Sequence, residues 1–106
     1  MQEMETWAGR SKFQYKGAIP YDIRIYFGKG QRQTITAQQW SALCAHFSGK
    51  IVKVGTSRDN PPKGSLGEWL QQHVTKTAIA SYVAPILVQS GLAERVPSDK
   101  TLIRFL

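Results

Sequence analysis

Cysteine occurs once in this sequence, at Cys44, so no internal disulfide can form and the fold must rest on its core alone. Acidic residues are also few. Seven Asp and Glu stand against fourteen Lys and Arg, a net charge of +7 with a sequence pI near 9.9. No apolar run approaches the roughly 20 residues that span a bilayer. The opening MQEMETWAGR lacks the apolar segment of a secretory signal. These absences predict a cytoplasmic protein with no membrane partner. One cysteine and two histidines without a ligand cluster fall short of any zinc pattern. The carboxylates are scattered, no Ser/His/Asp or Cys/His set stands out, and there is no glycine-rich nucleotide fingerprint. An enzyme, a metal and a cofactor are therefore not expected.

What is present fits one globular unit. The 106 residues are 42% hydrophobic and 20% charged, enough apolar material for one core and not for two. The basic excess points to a polyanionic partner, but it is unevenly spread. From Arg10 to Lys63 there are ten basic residues against Asp22 and Asp59. From Gly64 onward, Lys76, Arg95, Lys100 and Arg104 are nearly balanced by Glu68, Glu94 and Asp99.

Taken in order, residues 1–18 carry Trp7, Phe13 and Tyr15 among polar and basic residues, and read as a basic, aromatic arm, flexible unless those rings dock it. Residues 19–106 read as the folded domain. In Tyr21–Phe27, Tyr21, Ile23, Ile25 and Phe27 alternate with Asp22, Arg24 and Tyr26, which predicts a strand. Gly28-Lys29-Gly30-Gln31 turns the chain into a partner strand, Arg32–Ile35. Arg24, Lys29 and Arg32 then gather near one edge or tip of this hairpin, where they can protect a strand edge or meet phosphates. Thr36 with Gln39 forms a capping box for a first helix whose buried stripe is Trp40, Leu43, Cys44 and Phe47. Cys44 reads as a small core residue, and His46 and His73 as helix-surface residues. Lys50–Val54 is a short strand. The polar loop GTSRDNPPKG, 55–64, carries Arg58 and Lys63, and Lys63 lies close to a helix N-terminus where free N–H groups can bind phosphate.

Ser65 and Glu68 form a second capping box, followed by Leu66, Trp69, Leu70 and Val74 at helical spacing. Thr75 is placed to cap the next helix after a tight turn, with Ile79, Tyr82, Val83, Ile86 and Leu87 on one face. Pro85 predicts a bend within that helix, because it lacks the N–H that would bond the Ser81 carbonyl. Gly91 closes the helix. Leu92–Val96 and Thr101–Phe105 flank the turn Pro97-Ser98-Asp99-Lys100 and predict a hairpin.

From Thr75 onward the chain resembles the recognition helix and wing of the winged helix-turn-helix superfamily, as found in many bacterial repressors. A G-L-x-x-R step, here Gly91, Leu92 and Arg95, leaves the helix for the wing, and Asp99 and Lys100 stand at the wing tip. The resemblance implies an α+β fold of three helices and a small antiparallel wing sheet, here with an extra N-terminal β-hairpin. It also implies duplex DNA as partner, with the second helix of the pair in the major groove and the wing on the backbone. On that expectation Lys76, Thr77 and Ser81 of a helix spanning 75–90 enter the groove. Arg95, Lys100 and Arg104 of the wing, with Arg58, Lys63, Lys29 and Arg32, hold phosphates. The protein would be a small regulator or accessory factor, nucleoid-associated in the cytoplasm, and a homodimer is compatible with palindromic sites. That helix carries no Arg or Asn, however, and its small face of Thr77, Ser81, Ala84 and Val88 suits a protein partner or a second copy equally well. A winged-helix interaction module is therefore the competing expectation. RNA binding through Trp7, Phe13, Tyr15 and Tyr26 is a further one.

Overall fold

Period-two patterning accounts for the N-terminal third of the computed structural model, which describes residues 1–106. Strands β1 (Gln2–Glu5), β2 (Lys12–Gly17), β3 (Ile23–Phe27) and β4 (Gln31–Ile35) form a four-stranded antiparallel meander in that order. Phe13, Tyr15, Ile23, Ile25 and Ile35 point inward and are buried. This replaces two expectations. Residues 1–18 are not an arm, and the N-terminal element is a sheet of four strands instead of a hairpin. The aromatics decide it. Phe13 and Tyr15 sit two residues apart on β2, so both rings reach the core, and the Tyr15 hydroxyl donates to Gln2 Oε1 at 2.6 Å.

Both capping residues act as caps. Ahead of α1 (Ala37–Phe47), Thr36 Oγ1 accepts the Gln39 N–H at 3.1 Å and Gln39 Oε1 accepts the Thr36 N–H at 2.9 Å. Asp22 Oδ1 takes the next free donor, the Ala37 N–H, at 2.7 Å, tying the helix start to the loop before β3. Ahead of α2 (Leu66–His73), Ser65 Oγ accepts from the Glu68 N–H at 3.1 Å. Glu68 itself reaches one residue further than a capping box requires, to the Gly64 N–H at 2.9 Å. The second sheet closes over the helices in the order β5-β7-β6, from β5 (Ile51–Lys53), β6 (Ala93–Arg95) and β7 (Leu102–Phe105).

Helix α3 (Ala80–Gln89) departs from the expected helix over 75–90 at its start. The Thr75 hydroxyl accepts the Thr77 N–H at 3.3 Å, two residues on, and the Thr75 N–H still bonds the Leu70 carbonyl at 3.0 Å. The residue expected to open a helix thus finishes the previous one and makes a local turn, a competition typical of Thr. From Ile79 to Leu87 only Ser81 and Tyr82 escape full burial. A helix covered on nearly every side lies inside a fold and not on its surface. Tyr82 stacks on Phe27 with ring centroids 4.7 Å apart and meets Phe13 edge-on at 5.2 Å. One continuous core joins Trp7, Phe13 and Ile25 to Trp40, Leu70, Val83, Ile103 and Phe105, so no boundary divides residues 1–18 from the rest.

The α3 helix continues through Pro85. Lacking an N–H, Pro85 leaves the Ser81 carbonyl without its usual partner. The Trp7 N–H fills that place at 2.9 Å. The proline thereby creates the acceptor on which the β1–β2 loop docks.

Candidate nucleic-acid interface

The outward side chains of the N-terminal sheet follow from its register. Gln14 pairs with Tyr26 and Tyr26 with Arg32, so these three form one row across β2, β3 and β4. Lys16 pairs with Arg24 and Arg24 with Thr34, forming a second row two residues further along. Lys12 lies on the same face. Lys12, Gln14, Lys16, Arg24 and Arg32 are exposed, and Tyr26 and Thr34 are half-buried. Glu3 and Glu5 on β1 form an acidic margin, and only Lys12 is drawn to it, 3.7 Å from Glu3. Lys16, Arg24 and Arg32 have no carboxylate partner, and neither has Lys29 on the β3–β4 turn. Like charges directly opposite on neighbouring strands repel. The Lys16–Arg24 pair is therefore an arrangement that a bound anion would relieve.

A shallow depression of about 560 Å³ lies at the Gln14–Tyr26–Arg32 row, bordered also by Glu3, Lys12 and Gly30. A larger cleft, about 740 Å³, lies at the junction of the two sheets, where Arg10, Arg95 and Lys100 face Glu5 and Thr101. Trp7 forms its wall. The Trp7 Nε1–H donates to the Lys100 carbonyl at 2.7 Å, and the Arg95 guanidinium lies 3.9 Å above the indole while donating to the Trp7 carbonyl at 3.2 Å.

The remaining expected contact residues are dispersed or already engaged. Lys76 and Thr77 are exposed, but on the α2–α3 connection and not on a helix. Ser81 is half-buried in the first turn of α3, and the small residues beside it, Ala80 and Ala84, are core. Arg104 pairs with Glu94 at 2.7 Å. In the β6–β7 turn, Asp99 accepts from the Thr101 hydroxyl at 2.6 Å and the Thr101 N–H at 2.9 Å, with Lys53 Nζ 3.7 Å away. Those two Thr101 bonds, and then Lys53, hold the Asp99 carboxyl below the usual range, so the turn keeps its negative charge. Lys100 there is exposed and unpaired by any carboxylate, as are Arg58 and Lys63 in the 55–64 loop.

The N-terminus of α2 does not offer the expected phosphate site. The Gly64 N–H is taken by Glu68, the Ser65 N–H by the Pro62 carbonyl at 3.0 Å, and the Gly67 N–H by the Val54 carbonyl at 2.9 Å. A carboxylate already occupies the position an anion would take. Cys44 is half-buried against the core, and burial pushes its thiol above the usual value, away from the reactive thiolate. His73 stacks on Trp69 at 4.3 Å at the surface of α2. No three His, Cys, Asp or Glu side chains converge as metal ligands would. No helix is long and apolar enough to cross a membrane.

Lys12 and Lys16 are the residues that sequence reasoning left out. The signal was present in KFQYKG, whose lysines and glutamine alternate with Phe13 and Tyr15. Compared with known proteins, the chain matches no family model, no curated protein and no solved structure.

Proposed function

We propose that this is a DNA-binding protein that holds phosphates on the outer face of its N-terminal sheet. The observation that carries the reading is the set of cations without carboxylate partners, Lys16, Arg24 and Arg32, aligned by strand register on an open face. The order α1–β5–α2–α3–β6–β7 with a β5-β7-β6 sheet supports a winged-helix assignment for residues 37–106. Within that assignment α3 would be the recognition helix, yet Ala80 and Ala84 of its expected groove face are core, which weighs against base reading by this helix. The β6–β7 turn would be the wing, with Lys100 as a subsidiary phosphate contact. A binding role, without catalysis, in the cytoplasm belongs to this reading. The competing role as a protein-interaction module uses the small-residue face of α3, of which Ala84 is core, Ser81 and Val88 are half-buried and Thr77 is exposed on the preceding connection.

Phosphate binding makes log K fall with log salt by about 0.7 to 0.9 per phosphate neutralised. Replacing Lys16 and Arg24 together by Gln should make the slope for a random-sequence DNA shallower by about 1.4 to 1.8. Replacing Lys76 and Lys100 should change it by less than half of that. Fluorescence anisotropy across a salt series reads both. A slope set by Lys76 and Lys100 instead would move the contact off the sheet and defeat the assignment.

A further inference from the structure

We infer that the preferred form is a single strand of nucleic acid, with one base stacked on Tyr26 and the flanking phosphates on Lys16, Arg24 and Arg32. This rests on the reading that the sheet face is the contact surface, and it names the form that the face accepts. Four observations carry it.

Tyr26 is the only aromatic ring on the outward face of β1–β4, since Phe13 and Tyr15 point into the core. It lines the 560 Å³ depression, with the Gln14 amide on one side and the Arg32 guanidinium on the other. A ring offers a base its face, while an amide and a guanidinium offer hydrogen bonds to its edge. In a duplex the base faces are stacked on one another and cannot reach such a platform.

The two rows are two residues apart along the strands, about 7 Å at 3.4 Å per residue. A stacked base in one row therefore lies within reach of its own backbone phosphates at Lys16 and Arg24 in the next. Tyr21, 72% exposed, stands in the loop just past that second row and places another ring at the same end of the sheet. Glu3, at the Gln14 side of the depression, and Glu5 repel a polyanion and so favour β2–β4 over β1 for its backbone. A sheet used in this way needs no exposed helix, in keeping with the burial of α3.

The groups named address base faces, base edges and phosphates, and none requires the sugar. Oligo(dU) and oligo(U) of equal length should then bind within about threefold of one another. Both should bind at least tenfold more tightly than a random duplex of the same length at the same salt. Tyr26→Leu keeps apolar volume but removes the ring, and should weaken oligo(dU) binding about tenfold while leaving the salt slope unchanged. Tyr26→Phe should bind as the parent does. Circular dichroism and thermal melting of each variant separate lost binding from lost folding. A duplex bound as tightly as oligo(dU), or Tyr26→Leu binding like the parent, overturns the single-strand inference. The sheet-face reading survives that result if Lys16→Gln with Arg24→Gln still flattens the slope. A strong preference for oligo(U) over oligo(dU) also overturns it, by showing that the sugar is read. If Lys16 and Arg24 have no effect on any nucleic acid, both readings fall together.

Discussion

Trp7→Ala is expected to lower unfolding free energy by about 3–5 kcal/mol, the range for removing a buried Trp from a core. At roughly 4–8 °C per kcal/mol for a domain of this size, the melting temperature should fall by about 12 °C or more. The reason is the number of separate attachments that end at this residue. Its backbone N–H bonds the Ser81 carbonyl, its carbonyl accepts from Arg95, its Nε1–H bonds the Lys100 carbonyl, and the residue is 7% exposed with a guanidinium over its ring. The Ala variant keeps the two backbone bonds in principle, but nothing then holds the loop in place to make them. Trp7→Phe retains most of the apolar area and loses the Nε1 bond, so about 1–2 kcal/mol is expected. Were residues 1–18 a solvated arm, Trp7→Ala would fall within about 0.5 kcal/mol of the parent, as surface substitutions do. Thermal and urea unfolding of the three proteins distinguish the cases.

Gly67→Ala sets two principles against each other. Gly67 lies in the first turn of α2, and helix propensity alone predicts that Ala there stabilises by about 1 kcal/mol. Its position predicts the reverse. A Cβ built at Gly67 falls on the Gly55 carbonyl oxygen, far inside van der Waals contact, and Gly55 is itself packed on Ser65 at φ +71°. Both partners are backbone, held by the Gly67 N–H to Val54 carbonyl bond, so no side chain can swing away. Overpacking of this kind costs about 3 kcal/mol, and the net effect should be a loss of about 2 kcal/mol or more. Gly64→Ala is the control. It has φ +81° but open space around its Cβ position, so it bears only the left-handed backbone penalty of about 1–2 kcal/mol. Gly67→Ala more stable than the parent would mean that the 55–64 loop is not pinned against α2.

The elements best foreseen were those whose signals are local. Thr36 with Gln39 and Ser65 with Glu68 fixed two helix starts, because a cap is satisfied within four residues. The β3–β4 hairpin and the β6–β7 ribbon follow from alternation around glycine or proline turns. β1 carries no sequence signal, since its QEME sequence places three of four side chains in solvent and its place comes from backbone pairing with β2. The start of α3 is not legible locally, because a Thr hydroxyl can cap a helix or close a turn, and tertiary packing chooses between them. The candidate interface was half-legible. Arg24, Lys29 and Arg32 could be grouped from the hairpin, but Lys16 joins them only through register with a strand read as an arm. The covering of α3 depends on contacts between the two ends of the chain, which no local window contains.

The dependence of Trp7 on Ser81, Arg95 and Lys100 also sets an order of events during synthesis. The first strands leave the ribosome long before their docking partners exist, as the Trp7–Lys100 bond spans 93 positions of sequence. Until α3 arrives, the meander has a finished cationic outside and an unburied aromatic inside, with Phe13, Tyr15 and Ile25 uncovered. The nascent N-terminal third thus carries uncovered apolar side chains during synthesis, and the packing of α3 on the sheet is what ends that exposure.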